Sequence, residues 1–231
     1  MIDSGVTSQP IFYLFIALSI LLSLGYAWGA RRNKKILKRA FDDLVEIFNP
    51  KDRQFTNIGG LSGYHANFIP HRNRYVRRVD ATVTLLPRQS WLYYPISKLI
   101  RRYDRFYMVL YLAPEMMGRI TEGHIIEKAY SRFHGAKIEN EERLSKETLN
   151  WGGKTFFIYF ADEVIKRSLE RCMEILGKPG ALRHVALVPE QERMFLFMIP
   201  KPGQVKEVVS RVHQWFTQLL GSRQSADAPA D

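Results

Sequence analysis

The stretch IFYLFIALSILLSLGYAWGA, residues 11–30, is followed at once by RRNKK, residues 31–35. Twenty residues without a charged side chain form a helix of about 30 Å, which matches the hydrocarbon core of a bilayer. Every charged side chain over residues 31–41 is cationic, and Asp42 is the first anion. Positive flanks of a membrane helix stay on the cytoplasmic side. The sequence therefore predicts one membrane-spanning helix, with residues 1–10 outside and the rest of the chain in the cytoplasm.

Two other interpretations of the same stretch fit less well. A cleaved signal peptide would have a basic segment first and then an apolar run of about 7–15 residues, whereas this run is longer. Its only match to a cleavage site, with small residues two positions apart, is at residues 27–29. A buried helix of a soluble protein rarely stays uncharged for this length. We therefore expect an uncleaved anchor in the cell membrane.

The net charge of +11 is the second informative feature. Cations far outnumber Asp80 and Asp104 between residues 71 and 105, and arginine predominates, which favours contacts with phosphate. Lipid headgroups or nucleic acid could supply that phosphate, or the charge could be a solvated face that follows the positive-inside rule. The predicted anion-binding residues are Arg72, Arg74, Arg77, Arg78, Arg88, Lys98, Arg101, Arg102 and Arg105. The predicted headgroup contacts are Arg31, Arg32, Lys34 and Lys35.

Hydrophobic periodicity predicts the elements that follow the anchor. A basic membrane-proximal helix over 31–49 continues the anchor until Asn49-Pro50 ends it, and 59–63 is a turn. Alternating or continuous apolar runs predict strands at 64–69, 76–86, 106–112, 155–160, 182–188 and 193–199. Helical spacing predicts helices near 95–102 and over 121–133, 163–176 and 203–220, with a polar linker and one helical turn over 139–149. We expect residues 222–231 to form a frayed tail.

This order of elements indicates an α+β domain over 50–221 with a mixed or antiparallel sheet. The sheet is either divided between two halves, 50–138 and 150–221, or continuous.

Chemistry-bearing residues are scattered, so we expect no enzyme, no cofactor and no metal site. The histidines lack the spacing of a zinc motif, and the single cysteine, Cys172, falls on the apolar side of a predicted helix. Glu122 and His124 look like an isolated surface pair. Asp162 is expected to cap the helix that follows it.

Two further segments are candidates for contact with a partner. Residues 91–103 combine tryptophan and tyrosine with lysine and arginine, which could stack nucleic-acid bases, lie at headgroup level, or form the core face of a helix. In the anchor, the small residues Ser19, Ser23 and Gly25 could pack against a small membrane protein.

The order of elements resembles the coiled-coil-domain subunit of the PAT complex, a chaperone of multipass membrane proteins in the endoplasmic reticulum. Three stretches carry the likeness: the anchor with residues 31–35, the strand-helix-strand unit over 79–111, and the hairpin and terminal helix over 184–216. The resemblance implies a minimal, archaeal-type relative, without the family's acidic lumenal segment and basic coiled coil.

The resemblance implies a membrane-protein biogenesis factor that works beside the Sec translocon and the ribosome as part of a hetero-complex. The alternative is a structural accessory subunit of another membrane complex, whose basic face binds anionic lipid.

Overall fold

A single helix carries the apolar stretch straight into the folded part of the chain. The structure, a computed structural model, describes residues 9–71, 73–116, 120–131, 138–139, 141–201 and 203–226. Helix α1 (Pro10–Phe48) begins at a proline, which suits the first turn because its N–H would have no partner there. It ends where Asn49 adopts the left-handed conformation, with φ of 39°. At 1.5 Å per residue, α1 is about 58 Å long.

The two parts of α1 have different surroundings. No residue of the apolar window near the N-terminus is buried. From Gly29 onward, residues such as Leu37, Phe41, Leu44 and Phe48 are buried at three- and four-residue intervals, as expected for one face of a helix on a core. The helix predicted over 31–49 is present as far as Phe48, and its apolar face lies against the domain.

Within the described residues, nine strands form one antiparallel sheet, so the fold class is α+β, as predicted. The strands are β1 (Pro50–Asn57), β2 (Gly63–Pro70), β3 (Val76–Thr84), β4 (Arg105–Leu112), β5 (Gly123–Glu127), β6 (Ser145–Trp151), β7 (Lys154–Phe160), β8 (Leu182–Val188) and β9 (Arg193–Met198). Their order across the sheet is β1-β2-β3-β4-β9-β8-β5-β7-β6. The sheet is continuous, because β4 pairs with β9 and β5 pairs with both β7 and β8.

Helix α1 and two of the later helices cover one face of this sheet. The helices after α1 are α2 (Tyr94–Arg101), α3 (Lys128–Ser131), α4 (Glu163–Leu176) and α5 (Gln204–Ala226). Helix α5 packs against both α1 and α4, and α4 lies on β5 and β7. Buried side chains that alternate along the strands, such as Val79, Phe106 and Leu196, join these helices in one core. Asp162 caps α4 as predicted, since its Oδ1 accepts hydrogen bonds from two backbone N–H groups of the first turn at 2.8 Å.

The second face of the sheet carries the alternate residues of the same strands. Thr82 lies opposite Tyr107, and Arg78 and Arg193 both lie opposite Tyr111. These side chains are only partly buried or exposed. This face is therefore polar and aromatic, whereas the covered face is apolar.

Three sequence predictions about local structure were wrong, and one strand was missed. Helix α5 continues to Ala226, into the tail predicted over 222–231, and residues 227–231 lie outside the described residues. Residues 121–133 contain the strand β5 before the short helix α3, because His124, Ile125 and Ile126 are buried on both faces of the sheet. Residues 139–149 include the start of strand β6, and strand β1 was not predicted. Both β1 and β6 are edge strands with mostly exposed side chains, so neither shows an apolar period.

Candidate partner-binding and membrane-contacting surfaces

Among the described residues, α1 is the one helix long and apolar enough to cross a membrane. In its apolar part, Ser19 and Ser23 are exposed, and their hydroxyls donate hydrogen bonds of 2.8 Å to carbonyls one turn earlier in the same helix. These two serines remain available to a helix that packs alongside.

Gly25, which we expected to contact a membrane partner, contacts the same chain instead. A Cβ built on Gly25 would lie 2.9 Å from the Trp91 ring, and one on Gly29 would lie 2.1 Å from the carbonyl oxygen of Arg88. The loop after β3 therefore crosses α1 at these two glycines, where only a hydrogen atom fits. This corrects the prediction, because Trp91 already fills the space that Gly25 leaves.

A buried ionic network fastens α1 to the sheet beside this crossing. Arg88 donates to both carboxylate oxygens of Asp104, at 3.0 and 2.7 Å, and to the side-chain oxygen of Asn33 at 3.0 Å. Asn33 in turn donates to the Leu86 carbonyl at 3.0 Å, and the Leu86 N–H donates to Asp104 at 2.8 Å. This end of the sheet is called the junction end from here on.

The position of Arg88 corrects its predicted role. Its side chain is 9% exposed and bidentate with Asp104, so its guanidinium is already neutralised by an internal partner. Arg88 belongs to the network that orients α1 and not to a surface for anions.

A cavity of about 560 Å³ opens next to the network. The cations Arg31, Arg32, Lys35, Arg39 and Lys201 line it together with Trp28, and Asp43 and Asp104 are its acidic residues. Burial raises the pKa of Asp43. Three of the predicted headgroup contacts, Arg31, Arg32 and Lys35, thus share a cavity with Lys201. Sequence reasoning missed Lys201 because it lies 166 residues after Lys35.

The cations at the junction end have no acidic partner within the described residues. They are Arg31, Arg32, Lys34, Lys35, Arg39, Lys98, Arg101, Arg102, Arg105 and Lys201. Because no carboxylate among the described residues lies within ion-pair distance of them, they form a field of unpaired positive charge at one end of the domain.

A second group of cations surrounds Tyr111 at the opposite end of β4, called the far end. The guanidinium carbons of Arg78, Arg193 and Arg77 lie 3.9, 5.3 and 6.0 Å from the centre of the Tyr111 ring. Arg77 pairs with Glu192 at 2.8 Å and Arg78 with Asp80 at 3.1 Å. These four residues, Arg77, Arg78, Tyr111 and Arg193, are called the far-end arginine cluster.

The structure divides the predicted anion-binding residues among these places. Arg77 and Arg78 lie in the far-end arginine cluster, and Arg74 is exposed close by. Lys98, Arg101, Arg102 and Arg105 lie at the junction end, about 20 Å away at 3.4 Å per strand residue. Arg72 lies outside the described residues. The sequence did not reveal that Arg193 and Tyr111 belong with Arg78, since only the pairing of β3, β4 and β9 brings them together.

Glu122 and His124 are not a surface pair, in contrast to the sequence prediction. His124 is 3% exposed, its Nε2 lies 2.9 Å from Glu122 Oε1, and its Nδ1 lies 3.4 Å from Nε2 of His184. Burial lowers the pKa of His124 and lowers that of His184 well below its ordinary value. Within the described residues, no three His, Cys, Asp or Glu side chains are grouped so as to hold a metal ion.

The comparisons with known proteins give no family assignment. No family model matches the sequence, and none of the curated proteins matches it significantly. The resemblance to the PAT complex subunit therefore stays a prediction.

Proposed function

We propose that this protein is a non-enzymatic membrane-protein biogenesis factor, anchored once in the cell membrane with its α+β domain in the cytoplasm. The observation that supports the proposal is the continuity of α1. One helix without a break joins an uncovered apolar segment to a stretch whose Leu44 and Phe48 are buried in the domain core. A domain fixed to its anchor in this way has a defined height and orientation above the bilayer, as a docking platform beside the Sec translocon requires.

The far-end arginine cluster is the surface that we assign to the ribosome. Guanidinium groups contact phosphates, and an aromatic ring between them offers a stacking partner for an unpaired base. The cluster faces away from the junction with α1, because Tyr111 lies at the end of β4 opposite Arg105. Its ligand under this proposal is ribosomal RNA that approaches from the cytoplasm.

Co-sedimentation of the full-length protein with ribosomes across a salt series tests the proposal. Phosphate contacts make binding fall with salt, and removing one of them reduces the steepness of log K against log[salt] by about 0.7 on single-stranded RNA. Arg77→Gln/Arg78→Gln/Arg193→Gln should therefore weaken binding and flatten the slope. The matched control is Arg143→Gln/Arg167→Gln/Arg171→Gln, which removes three exposed arginines elsewhere and should retain the wild-type slope. Absence of binding at low salt would rule out association with the ribosome.

The unpaired cations of the junction end favour a second candidate, a structural accessory subunit of another membrane complex. Their charge would serve anionic headgroups, and the exposed Ser19 and Ser23 would meet a neighbouring helix. Crosslinking with mass spectrometry in native membranes separates the two candidates. Crosslinks to translocation machinery and ribosomal proteins support the first, and crosslinks confined to the subunits of one stable complex support the second.

A further inference from the structure

The segment from Trp91 to Arg101 exposes a contiguous set of large apolar side chains. Leu92 is 71% exposed and Leu99 is 79% exposed, and Trp91, Tyr93, Ile96 and Ile100 are exposed too. Ile96, Leu99 and Ile100 follow three- and four-residue spacing in α2, so they lie on one side of that helix. Contiguous exposed side chains of this kind mark a surface that contacts something apolar.

This segment touches α1 inside its apolar stretch. The Trp91 ring lies against Gly25, and Leu22, Ser23 and Tyr26 of α1 line a crevice with residues 89–93. Gly25 precedes Arg31 by six residues, which is about 9 Å along the helix axis. If α1 is embedded up to Arg31, residues 89–93 lie closer to the bilayer centre than Arg31, within the membrane interface.

The length of the apolar stretch supports the same depth. If the bilayer ended before the Trp91 contact, only Pro10–Leu24 would be left to cross it, and these residues span about 22 Å. A hydrocarbon core is about 30 Å thick. The helix matches that thickness only when its membrane-embedded part extends as far as Ala30. Trp91 and Leu92, which contact this part of the helix, then lie at membrane depth as well.

The charges of the segment suit the boundary between acyl chains and headgroups. Lys98, Arg101 and Arg102 are exposed and have no acidic partner among the described residues. Long cationic side chains reach from an apolar position to anionic headgroups, and tryptophan and tyrosine concentrate at this level. The combination is that of an interfacial helix, with apolar side chains inward and cations at the surface.

We propose that residues 91–101 form a second membrane-contacting element, which lies in the interface of the leaflet where α1 emerges and binds anionic phospholipid there. The inference rests on the proposed function in one respect, namely that α1 spans the membrane. The domain is then held at two places, by α1 and by α2, so it cannot rotate freely about the anchor.

The experiment places a fluorescent NBD label at single cysteines in the full-length protein, reconstituted in nanodiscs of phosphatidylcholine and phosphatidylglycerol. Cys172 is fully buried and burial raises the pKa of its thiol, so the unsubstituted chain should take up no label. The test position is Leu99→Cys. Leu24→Cys lies in the span, and Val164→Cys is an exposed apolar position on α4 at the far end. Acyl-chain nitroxide lipids report contact with the bilayer, and aqueous iodide reports contact with water.

The expected result is that nitroxide quenching at position 99 approaches that at position 24 and greatly exceeds that at position 164, with the opposite order for iodide. Quenching by iodide alone at position 99, with position 24 quenched by lipid, would overturn the inference and leave the anchor intact. Weak quenching by both agents at position 99 would also overturn it, because a second copy or another protein would then cover α2. If position 24 itself is not quenched by lipid, the proposed anchor fails, and the outcome is distinguishable from failure of the inference.

A charge variant provides a second measurement. Lys98→Gln/Arg101→Gln/Arg102→Gln should reduce the lipid quenching at position 99 in discs with phosphatidylglycerol, and the effect should be smaller in discs of phosphatidylcholine alone. Equal quenching of the variant and the parent in both kinds of disc would contradict the assignment to anionic lipid.

Discussion

The junction end and the far end of the sheet are both rich in cations, but they hold them in different ways. At the junction end, Arg31, Arg32, Lys35 and Lys201 have no acidic partner among the described residues. At the far end, Arg77 and Arg78 pair with Glu192 and Asp80. Unpaired charge produces a field that attracts any anionic surface, whereas paired charge around an aromatic ring favours a ligand with a defined shape.

The difference shows why net charge alone does not identify a partner. The sum of +11 combines cations that are available, cations that are paired at the surface, and the buried arginines Arg88 and Arg183. The available cations lie beside α1 and α2, where anionic lipid is the expected partner. The paired ones lie where, under the proposed topology, a cytoplasmic ligand can reach them. Three stability measurements can test how differently the two ends, and the sheet between them, are built.

The largest expected effect is at the junction end. Arg88→Leu leaves the Asp104 carboxylate buried without its partner, and breaking a buried pair from one side costs about 3–5 kcal/mol of the free energy of unfolding. Denaturant unfolding in detergent micelles, followed by tryptophan fluorescence, measures this loss. The matched change at the far end, Arg78→Leu, breaks a more exposed pair and should cost about 0–1 kcal/mol. Equal losses in the two variants would show that the Arg88 network does not fasten α1.

No sequence pattern distinguishes these two arginines. Asp104 is 16 residues after Arg88, and Asn33 is 55 residues before it, in the middle of RRNKK. The charged neighbours of Asn33 suggested an exposed block, and they are indeed exposed, but Asn33 itself is fully buried. The pairing depends on where α1 crosses the loop after β3, which is a tertiary contact without a local signal.

The strands that were predicted and those that were missed differ in their place in the sheet. Interior strands such as β3 and β4 alternate between a buried and a partly exposed side chain, and this period is visible in the sequence. The edge strands β1 and β6 expose most of their side chains, including Lys51, Asp52 and Arg53. Polar edges protect a sheet from pairing with other chains, and the same polarity removes the apolar period by which a strand is recognised in a sequence.

The second largest effect concerns the crossing of α1 and the loop. Gly29→Ala would place a Cβ about 2.1 Å from a backbone oxygen of that loop, so helix or loop must shift, at a cost of about 1–3 kcal/mol in unfolding free energy. Gly221→Ala in α5 is the matched control, because its nearest neighbour is the Tyr75 hydroxyl at 4.0 Å. It should stabilise the protein by up to about 1 kcal/mol through helix propensity. The expectation is wrong if Gly29→Ala is tolerated as well as Gly221→Ala.

The smallest expected effect concerns the middle of the sheet, between the two ends, where His184 lies against His124. Burial lowers the pKa of His184 well below 6.5, so the folded protein keeps it neutral while the unfolded chain binds a proton. Its contribution to stability is therefore present above pH 6.5 and is lost progressively as the pH falls below it. Unfolding free energies measured from pH 7 to pH 5 should fall accordingly, with His124 and His213 adding to the slope because burial lowers their pKa values too.

His184→Phe should reduce the slope, whereas the exposed control His71→Phe should retain it. A slope unchanged by His184→Phe would show that the middle of the sheet does not respond to pH through this histidine.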